Sequence, residues 1–195
     1  MLPYRRSGGQ PAGHNFDGYS FGYKTGFASM NEARDQFTVY DEPSRTLKVT
    51  RIPAPAPGIP CGESSDTCYI SDREEIFVCQ TDKKKTRTET WIYSIANNKW
   101  RKLNPVNNAP PSKIGRIQYV PEQNMVLAVV QPYTGEQWVY SFEHNTWQLF
   151  EKKQNTHNGP KSQLVYSVQY GVFVWYGKGK TLLMRPEFDK LDWDK

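Results

Sequence analysis

The residues that could perform chemistry are few, and they stand apart along the chain. The histidines are His14, His144 and His157. Cys61 and Cys68 lie in CGESSDTC, which lacks the second cysteine pair or the histidine of a zinc site. An acidic cluster comprises Asp66, Asp72, Glu74 and Glu75. Its carboxylates would have to converge on one pocket to work as an acid–base pair, and no pattern indicates this. The sequence has no G-x-S-x-G, H-E-x-x-H or P-loop motif. We therefore predict no catalytic residue, metal or cofactor.

Composition limits the class of protein further. The chain has 195 residues and a net charge of +5, and no apolar run is long enough to form a membrane-spanning helix. The basic N-terminal residues precede no apolar stretch, so they do not predict a secretory signal, although a mature chain from a secreted precursor would look the same. A bridge between Cys61 and Cys68 would imply an oxidising compartment, and two reduced thiols are the alternative. The 20 acidic residues dilute the positive charge, which disfavours nucleic-acid binding.

The sequence repeats itself. WIYSIANNKW at 91–100 returns as WVYSFEHNTW at 138–147, and the Tyr and the final Trp are seven residues apart in both. A third unit lies 53 residues before the first, where Leu47 replaces the Trp. The repeat anchors are Tyr40, Leu47, Tyr93, Trp100, Tyr140 and Trp147. Fixed-period self-similarity of this kind is typical of repeat architectures.

Each unit also contains two strand-like segments ahead of the Tyr. We name the four segments a, b, c and d, with the Tyr in c and the Trp in d. Short apolar segments separated by polar turns predict antiparallel strands, and no segment has a sustained 3.6-residue apolar period. The chain is therefore predicted to be all-β with almost no helix.

Four-stranded units that repeat every 47–53 residues resemble the kelch repeat and the propeller of galactose-oxidase-like proteins, over residues 19–184. The resemblance implies a kelch-like β-propeller or partial propeller built of four-stranded antiparallel blades. It implies packing roles for the anchors, with each Trp filling the gap between blades and each Tyr pinning strand c. The Gly-Gly pair of kelch blades is absent, and only Gly177 survives. Galactose-oxidase-like enzymes hold copper through two His and two Tyr, and the histidines here cannot meet on one metal.

The blade count is incomplete. We predict a flexible segment 1–18, a partial blade 19–51, full blades 66–103 and 115–150, a partial blade 163–184 and a charged tail 185–195. In the first unit, strand b is assigned to GYSFGYK, strand a is missing, and 25–35 forms a long b–c loop with one helical turn in NEARDQ. An open arc would expose the apolar flank of each end blade. Its missing blades could lie in a longer chain, which we favour, or two copies could close a ring, or a partner could cap the arc.

The b–c and d–a loops are predicted to share one end of the propeller, where binding residues usually lie. A basic rim around one aromatic would attract acidic glycans, carboxylates or phosphate, although KKK at 83–85 also fits a solvated hairpin tip. The candidate binding residues are Lys83, Lys84, Lys85, Arg87, Lys113, Tyr133, Lys152, Lys153, His157, Lys161 and Lys178.

The sequence thus favours a non-catalytic kelch-like binding or scaffold module, with its ligand or partner on the end that bears the d–a and b–c loops. The partner would be a protein, an acidic glycan or a small anion. The alternative is a fragment of a larger propeller enzyme, carbohydrate-active or galactose-oxidase-like, whose catalytic residues lie outside this chain. The sequence does not indicate a compartment.

Overall fold

The computed structural model describes residues 19–23, 26–30, 36–41, 43–53, 65–81, 88–107, 110, 114–130, 136–152, 163–177 and 180–193. These residues form four antiparallel sheets in which neighbouring strands follow one another along the chain. Sheet 1 contains β1 (Tyr19–Tyr23), β2 (Gly26–Met30), β3 (Gln36–Asp41) and β4 (Thr46–Arg51). Sheet 2 contains β5 (Ser65–Ile70), β6 (Glu75–Thr81), β7 (Thr88–Ser94) and β8 (Lys99–Leu103). Sheet 3 contains β9 (Ile114–Val120), β10 (Met125–Val130), β11 (Glu136–Ser141) and β12 (Thr146–Lys152), and sheet 4 contains β13 (Gln163–Ser167), β14 (Val172–Gly177) and β15 (Lys180–Met184).

The first unit differs from the sequence prediction. It has all four strands: the segment assigned to strand b is strand a (β1), and GFASM, assigned to a loop, is strand b (β2). Small residues hide this strand in the sequence, but it pairs along its whole length with β1 and β3 on either side. Pairing on both edges outweighs a weak local preference. Residues 31–35, with the predicted helical turn, lie outside the described residues.

Six hairpins share one construction. Each begins with a Tyr whose register partner is seven residues later, and the fifth residue after the Tyr has a positive φ. The Tyr and positive-φ pairs are Tyr40 and Arg45, Tyr69 and Glu74, Tyr93 and Asn98, Tyr119 and Asn124, Tyr140 and Asn145, and Tyr166 and Gly171. Asn and Gly tolerate the left-handed conformation best, which explains four of the six positions. The spacing of seven therefore encodes a four-residue turn.

The sheets pack face to face in chain order. Phe77 and Ile92 of sheet 2 pack in one buried cluster with Tyr140 and Trp147 of sheet 3. The opposite face of sheet 2 packs on sheet 1, and the opposite face of sheet 3 packs on sheet 4. The innermost strands lie in contact in the order β1, β5, β9, β13, and among the described strands no comparable contact joins β13 to β1. Four sheets stacked around their first strands are propeller blades, numbered here 1 to 4, and they form an open arc.

The two Trp anchors lie at different kinds of interface. Trp147 is fully buried between blades 2 and 3, where its indole Nε1 donates a 3.1 Å hydrogen bond to Thr90 Oγ1. Trp100 lies between blades 1 and 2, and its Nε1 has no hydrogen-bond partner among the described residues. The position equivalent to Thr90 in blade 1 is Phe37, which offers no acceptor. The third anchor, Leu47, is 65% exposed, because no described residue covers that face of blade 1.

The C-terminal segment is more than a charged tail. The sequence predicts a partial blade that ends at residue 184, and in the segment that follows Phe188–Lys190 forms a 3-10 turn. The segment packs back onto blade 3: the rings of Phe188 and Phe150 are 5.3 Å apart, and Gln148 Nε2 donates to the carbonyl of Asp192 at 2.9 Å.

Candidate functional site

The arc has two ends of different character. The a–b and c–d hairpins lie at one end, which we call the turn end, and the b–c and d–a connections lie at the other, which we call the loop end. Every fully described hairpin at the turn end has four turn residues, whereas the loop-end connections range from 178–179 to 52–64. Loops of unequal length on a rigid scaffold are where binding residues concentrate.

The structure describes one of the eleven predicted binding residues. Lys152 is the last residue of β12 at the loop end. The other ten lie outside the described residues, namely Lys83, Lys84, Lys85, Arg87, Lys113, Tyr133, Lys153, His157, Lys161 and Lys178. Their positions in the sequence place them in loop-end connections, and their convergence on one site stays a prediction.

The residues first considered for chemistry are dispersed. Cys68 is buried in β5 and Cys61 lies outside the described residues, so a bridge between them stays a prediction. His144 lies in a turn-end hairpin, where its ring stacks on Trp193 at 5.3 Å. Within the described ranges no group of three or more His, Cys, Asp or Glu side chains could hold a metal ion.

At the turn end, side-chain hydrogen bonds connect neighbouring blades, and the sequence did not predict them. Tyr93 Oη donates to Asn98 Oδ1 at 2.7 Å, and Asn98 Nδ2 donates to the carbonyl of Arg51 at the end of blade 1 at 3.2 Å. Blade 3 repeats the arrangement: Tyr140 Oη donates to Asn145 Oδ1 at 2.7 Å, and Asn145 Nδ2 donates to the Asn104 carbonyl of the preceding connection at 2.8 Å. The motif Tyr-x4-Asn-x-Trp is the sequence signal that would have revealed it.

A guanidinium joins blades 2 and 3 at the same end. Arg73 Nη2 donates to Asn124 Oδ1 at 2.6 Å, and the guanidinium lies 4.3 Å from the ring centre of Phe142. Arg73 Nε also lies 4.0 Å from Asp72 Oδ2. Burial, followed by a hydrogen bond with Asp72, raises the pKa of the neighbouring Tyr119 well above its ordinary value. Because these charges and donors already have partners, the cluster is suited to holding two blades together.

A cleft of about 410 Å³ lies beside the C-terminal segment. Gln148–Glu151 of β12 form one wall, and Met184–Glu187 with Lys190 and Leu191 form the other. The cleft lies where a strand d of blade 4 would cover blade 3. The described part of sheet 4 has three strands, and the cleft occupies the place of a fourth. Its charged rim contains both signs, and Lys190 is already paired with Glu187.

The outer faces of the two end blades are apolar and open. In blade 4 the cross-strand row Val165, Val174 and Leu183 faces away from blade 3, with Tyr176 beside it. We call these four residues the blade 4 flank. In blade 1, Leu47 and Val49 of β4 are both more than half exposed, and we call them the blade 1 flank. The structure thus displays the two exposed flanks expected of an open arc.

No helix among the described residues is long and apolar enough to cross a membrane.

Comparison with known proteins identifies the fold. No protein-family model and no curated protein matches the chain. Among solved structures, a protein from Bacteroides thetaiotaomicron VPI-5482, described as a structural genomics protein of unknown function, aligns with a TM-score of 0.56 at 11% identity, over 88% of this chain and 42% of that one. KlAtg21, solved in complex with the coiled-coil of AgAtg16, aligns with a TM-score of 0.51 at 11% identity, over 86% of this chain and 52% of that one.

The chain therefore spans about half the length of the solved structures that it matches. At this identity the likeness concerns the fold alone, and it does not extend to the kelch family in particular. Together with the four stacked antiparallel sheets, it confirms the predicted fold class: the chain is all-β and has the β-propeller fold.

Proposed function

We propose that the chain is a non-catalytic binding and scaffold module that holds an acidic protein partner at its loop end. The contrast between the two ends carries the proposal. The turn-end hairpins are uniform in length, and the Tyr, Asn and Arg groups that recur there bond to one another, which suits them to holding blades together. The connections at the loop end vary in length and sequence, and they contain the predicted basic residues.

Charge supports the choice of partner. Lysines on loops that start from a rigid rim would attract carboxylates and steer an acidic surface to the loop end. KlAtg21, a propeller neighbour by fold, was solved with a coiled-coil protein segment, which is a precedent for protein binding by this fold. An acidic glycan or a small anion would use the same lysines, so the experiment must separate these ligands from a polypeptide.

The test compares two charge-reversed variants of the full chain. K83E/K85E changes the loop end, and K99E/R101E makes the same change in net charge on β8, the outer strand of blade 2. Binding to a labelled poly-glutamate peptide and to dextran sulfate is measured by fluorescence anisotropy at low and high salt. We expect the first variant to bind the peptide roughly tenfold more weakly and the second to stay within about twofold of the parent.

Three results would contradict the proposal in different ways. Equal weakening by both variants would mean that the peptide senses net charge alone. Binding of dextran sulfate without binding of the peptide would exchange the protein partner for an acidic glycan. The absence of binding to either probe at low salt would remove the loop end as an anion-attracting surface.

A further inference from the structure

The blades of this chain pack by one rule. The face of each blade that points along the chain, its forward face, covers the back face of the next blade. At the interface of blades 2 and 3, the ring of Phe77 lies 5.3 Å from Tyr140 and 6.1 Å from Trp147. The register shows which positions are equivalent in other blades, because Phe77 pairs with Ile92 as Leu127 pairs with Val139 and Val174 with Leu183.

The forward face of blade 4 keeps this apolar pattern, but no other described blade lies against it. Ile92 and Val139 are 1% and 0% exposed, whereas the equivalent Leu183 is 71% exposed. Tyr176 occupies the position of the buried Cys79 and Val129, and it is about half exposed. A face that is buried in two blades and open in the third is a liability for a soluble chain unless another surface covers it.

The back face of blade 1 is the matching half of the interface. Leu47 pairs with Tyr40 as Trp147 pairs with Tyr140, so Leu47 stands at the anchor position that fills the gap between blades. Trp147 is completely buried, and Leu47 is 65% exposed. Val49, one step along the same face of β4, is exposed as well. The first back face and the last forward face are therefore the two unmatched members of one repeating interface.

We propose that the blade 4 flank of one copy packs on the blade 1 flank of a second copy, and that two such contacts close a ring of two chains. Four blades from each copy give eight, the upper end of the usual propeller range of about four to eight. A head-to-tail contact closes a ring when its rotation divides a full turn, and half a turn per copy satisfies this condition.

This inference does not depend on the loop-end binding site. The flanks lie on the outer faces of the end blades, and the loop-end lysines lie in the connections between strands. A dimer could form without loop-end binding, and a monomer could still bind an acidic peptide, so each idea can fail alone.

Mass in solution is the first test. Light scattering coupled to size exclusion, over a wide range of concentrations, should show a species near 45 kDa, twice the 22.6 kDa chain. L183D and L47D each place a charge in both contacts of the ring and should weaken the dimer roughly a hundredfold in Kd. V106D is the matched control, because Val106 is 83% exposed and lies on neither flank, and it should dimerise like the parent. Far-UV circular dichroism checks that every variant is folded.

Mixing the variants tests the pairing of the flanks. L47D keeps an intact blade 4 flank and L183D keeps an intact blade 1 flank, so an equimolar mixture can form one undamaged contact. The mixture should recover part of the dimer that neither variant forms alone. A parent chain that stays monomeric at all concentrations would overturn the proposal. Further blades or a different partner would then have to cover the flanks. A ladder of growing oligomers would overturn ring closure, and a dimer that tolerates both substitutions would place its interface elsewhere.

Discussion

The hydrogen bonds of Asn98 can be tested by a substitution that has a matched control in the same turn. Asn98→Gly removes the acceptor of the Tyr93 hydroxyl and the donor to the Arg51 carbonyl, while glycine accepts the φ of 50° without strain. Two hydrogen bonds contribute about 0.5–1.5 kcal/mol each, and the hydroxyl of a buried Tyr left without a partner adds to the loss. Glycine also removes the strain of a left-handed backbone at this position, which adds about 0.5–1 kcal/mol to the free energy of unfolding. We therefore expect the free energy of unfolding to fall by a net value of about 2 kcal/mol.

Asn97→Gly is the control, because it makes the same chemical change one residue earlier. Among the described residues the Asn97 side chain bonds to Ser94, the last residue of β7 in the same hairpin, and this bond is exposed. We expect that variant to lose about 0.5 kcal/mol, since both substitutions alter the unfolded chain equally. Urea unfolding followed by tryptophan fluorescence gives both values from the midpoints, provided that the slopes agree. If the two variants unfold at the same urea concentration, the bond from turn to preceding blade contributes nothing and the reasoning is refuted.

Three further predictions follow from other contacts. Arg45→Gly should raise the free energy of unfolding by about 0.5–1 kcal/mol, because Arg45 holds a φ of 53° in an exposed turn; an unchanged urea midpoint would argue against strain there. Thr90→Val should cost about 1–2 kcal/mol in equilibrium unfolding, since it keeps the shape but leaves the buried Trp147 indole without its acceptor; a neutral result would mean that water replaces Thr90. Burial raises the pKa of Tyr140 to about 12, so the unfolded chain loses this proton first, and the stability that the protonated hydroxyl contributes below pH 10 should be lost progressively as the pH rises towards 12. Tyr140→Phe should reduce this alkaline loss in urea titrations, and parallel curves would contradict the assignment.

The sequence was most informative where one residue sets a local geometry. Tyr93 and Trp100 are seven residues apart, which is the separation of two paired residues that flank a four-residue turn. These two residues were therefore enough to predict the hairpin. The Asn before the final Lys-Trp or Thr-Trp marked the left-handed position of that turn. Such features depend on backbone sterics within one hairpin, which makes them visible without tertiary information.

The errors fell where long-range pairing decides the structure. GFASM has small residues and no apolar alternation, so only its pairing with β1 and β3 makes it a strand. Distant contacts also set the conformation of the C-terminal residues, for which the sequence predicts only a charged tail. Phe188 lies in a 3-10 turn, and its ring lies 5.3 Å from the ring of Phe150 on the neighbouring blade.

The inter-blade bonds could not be predicted either. Asn98 and Arg51 are 47 residues apart, and nothing in their types indicates that a turn of one blade meets the last strand of the one before. The same limit applies to Arg73, whose neighbours Asn124 and Phe142 come from two different hairpins of blade 3. The exposed flanks were foreseeable in outline, since an unclosed arc must end in unmatched faces, but the equivalence of Leu183 with Ile92 required the register.

The bond from each Asn turn to the blade before it also gives the chain a direction of assembly. Asn98 and Asn145 reach back to carbonyls that precede them in the sequence, at Arg51 and Asn104. On the ribosome those carbonyls have already emerged when the later turn forms, so each new blade can complete its last hairpin without waiting for chain still to be made. Nearest-neighbour coupling of this kind lets order propagate from one unit to the next. Truncation from the C-terminus should therefore leave these turn-to-blade hydrogen bonds intact in the remaining blades, whereas removal of the first blade would leave the turn of the second without its acceptor.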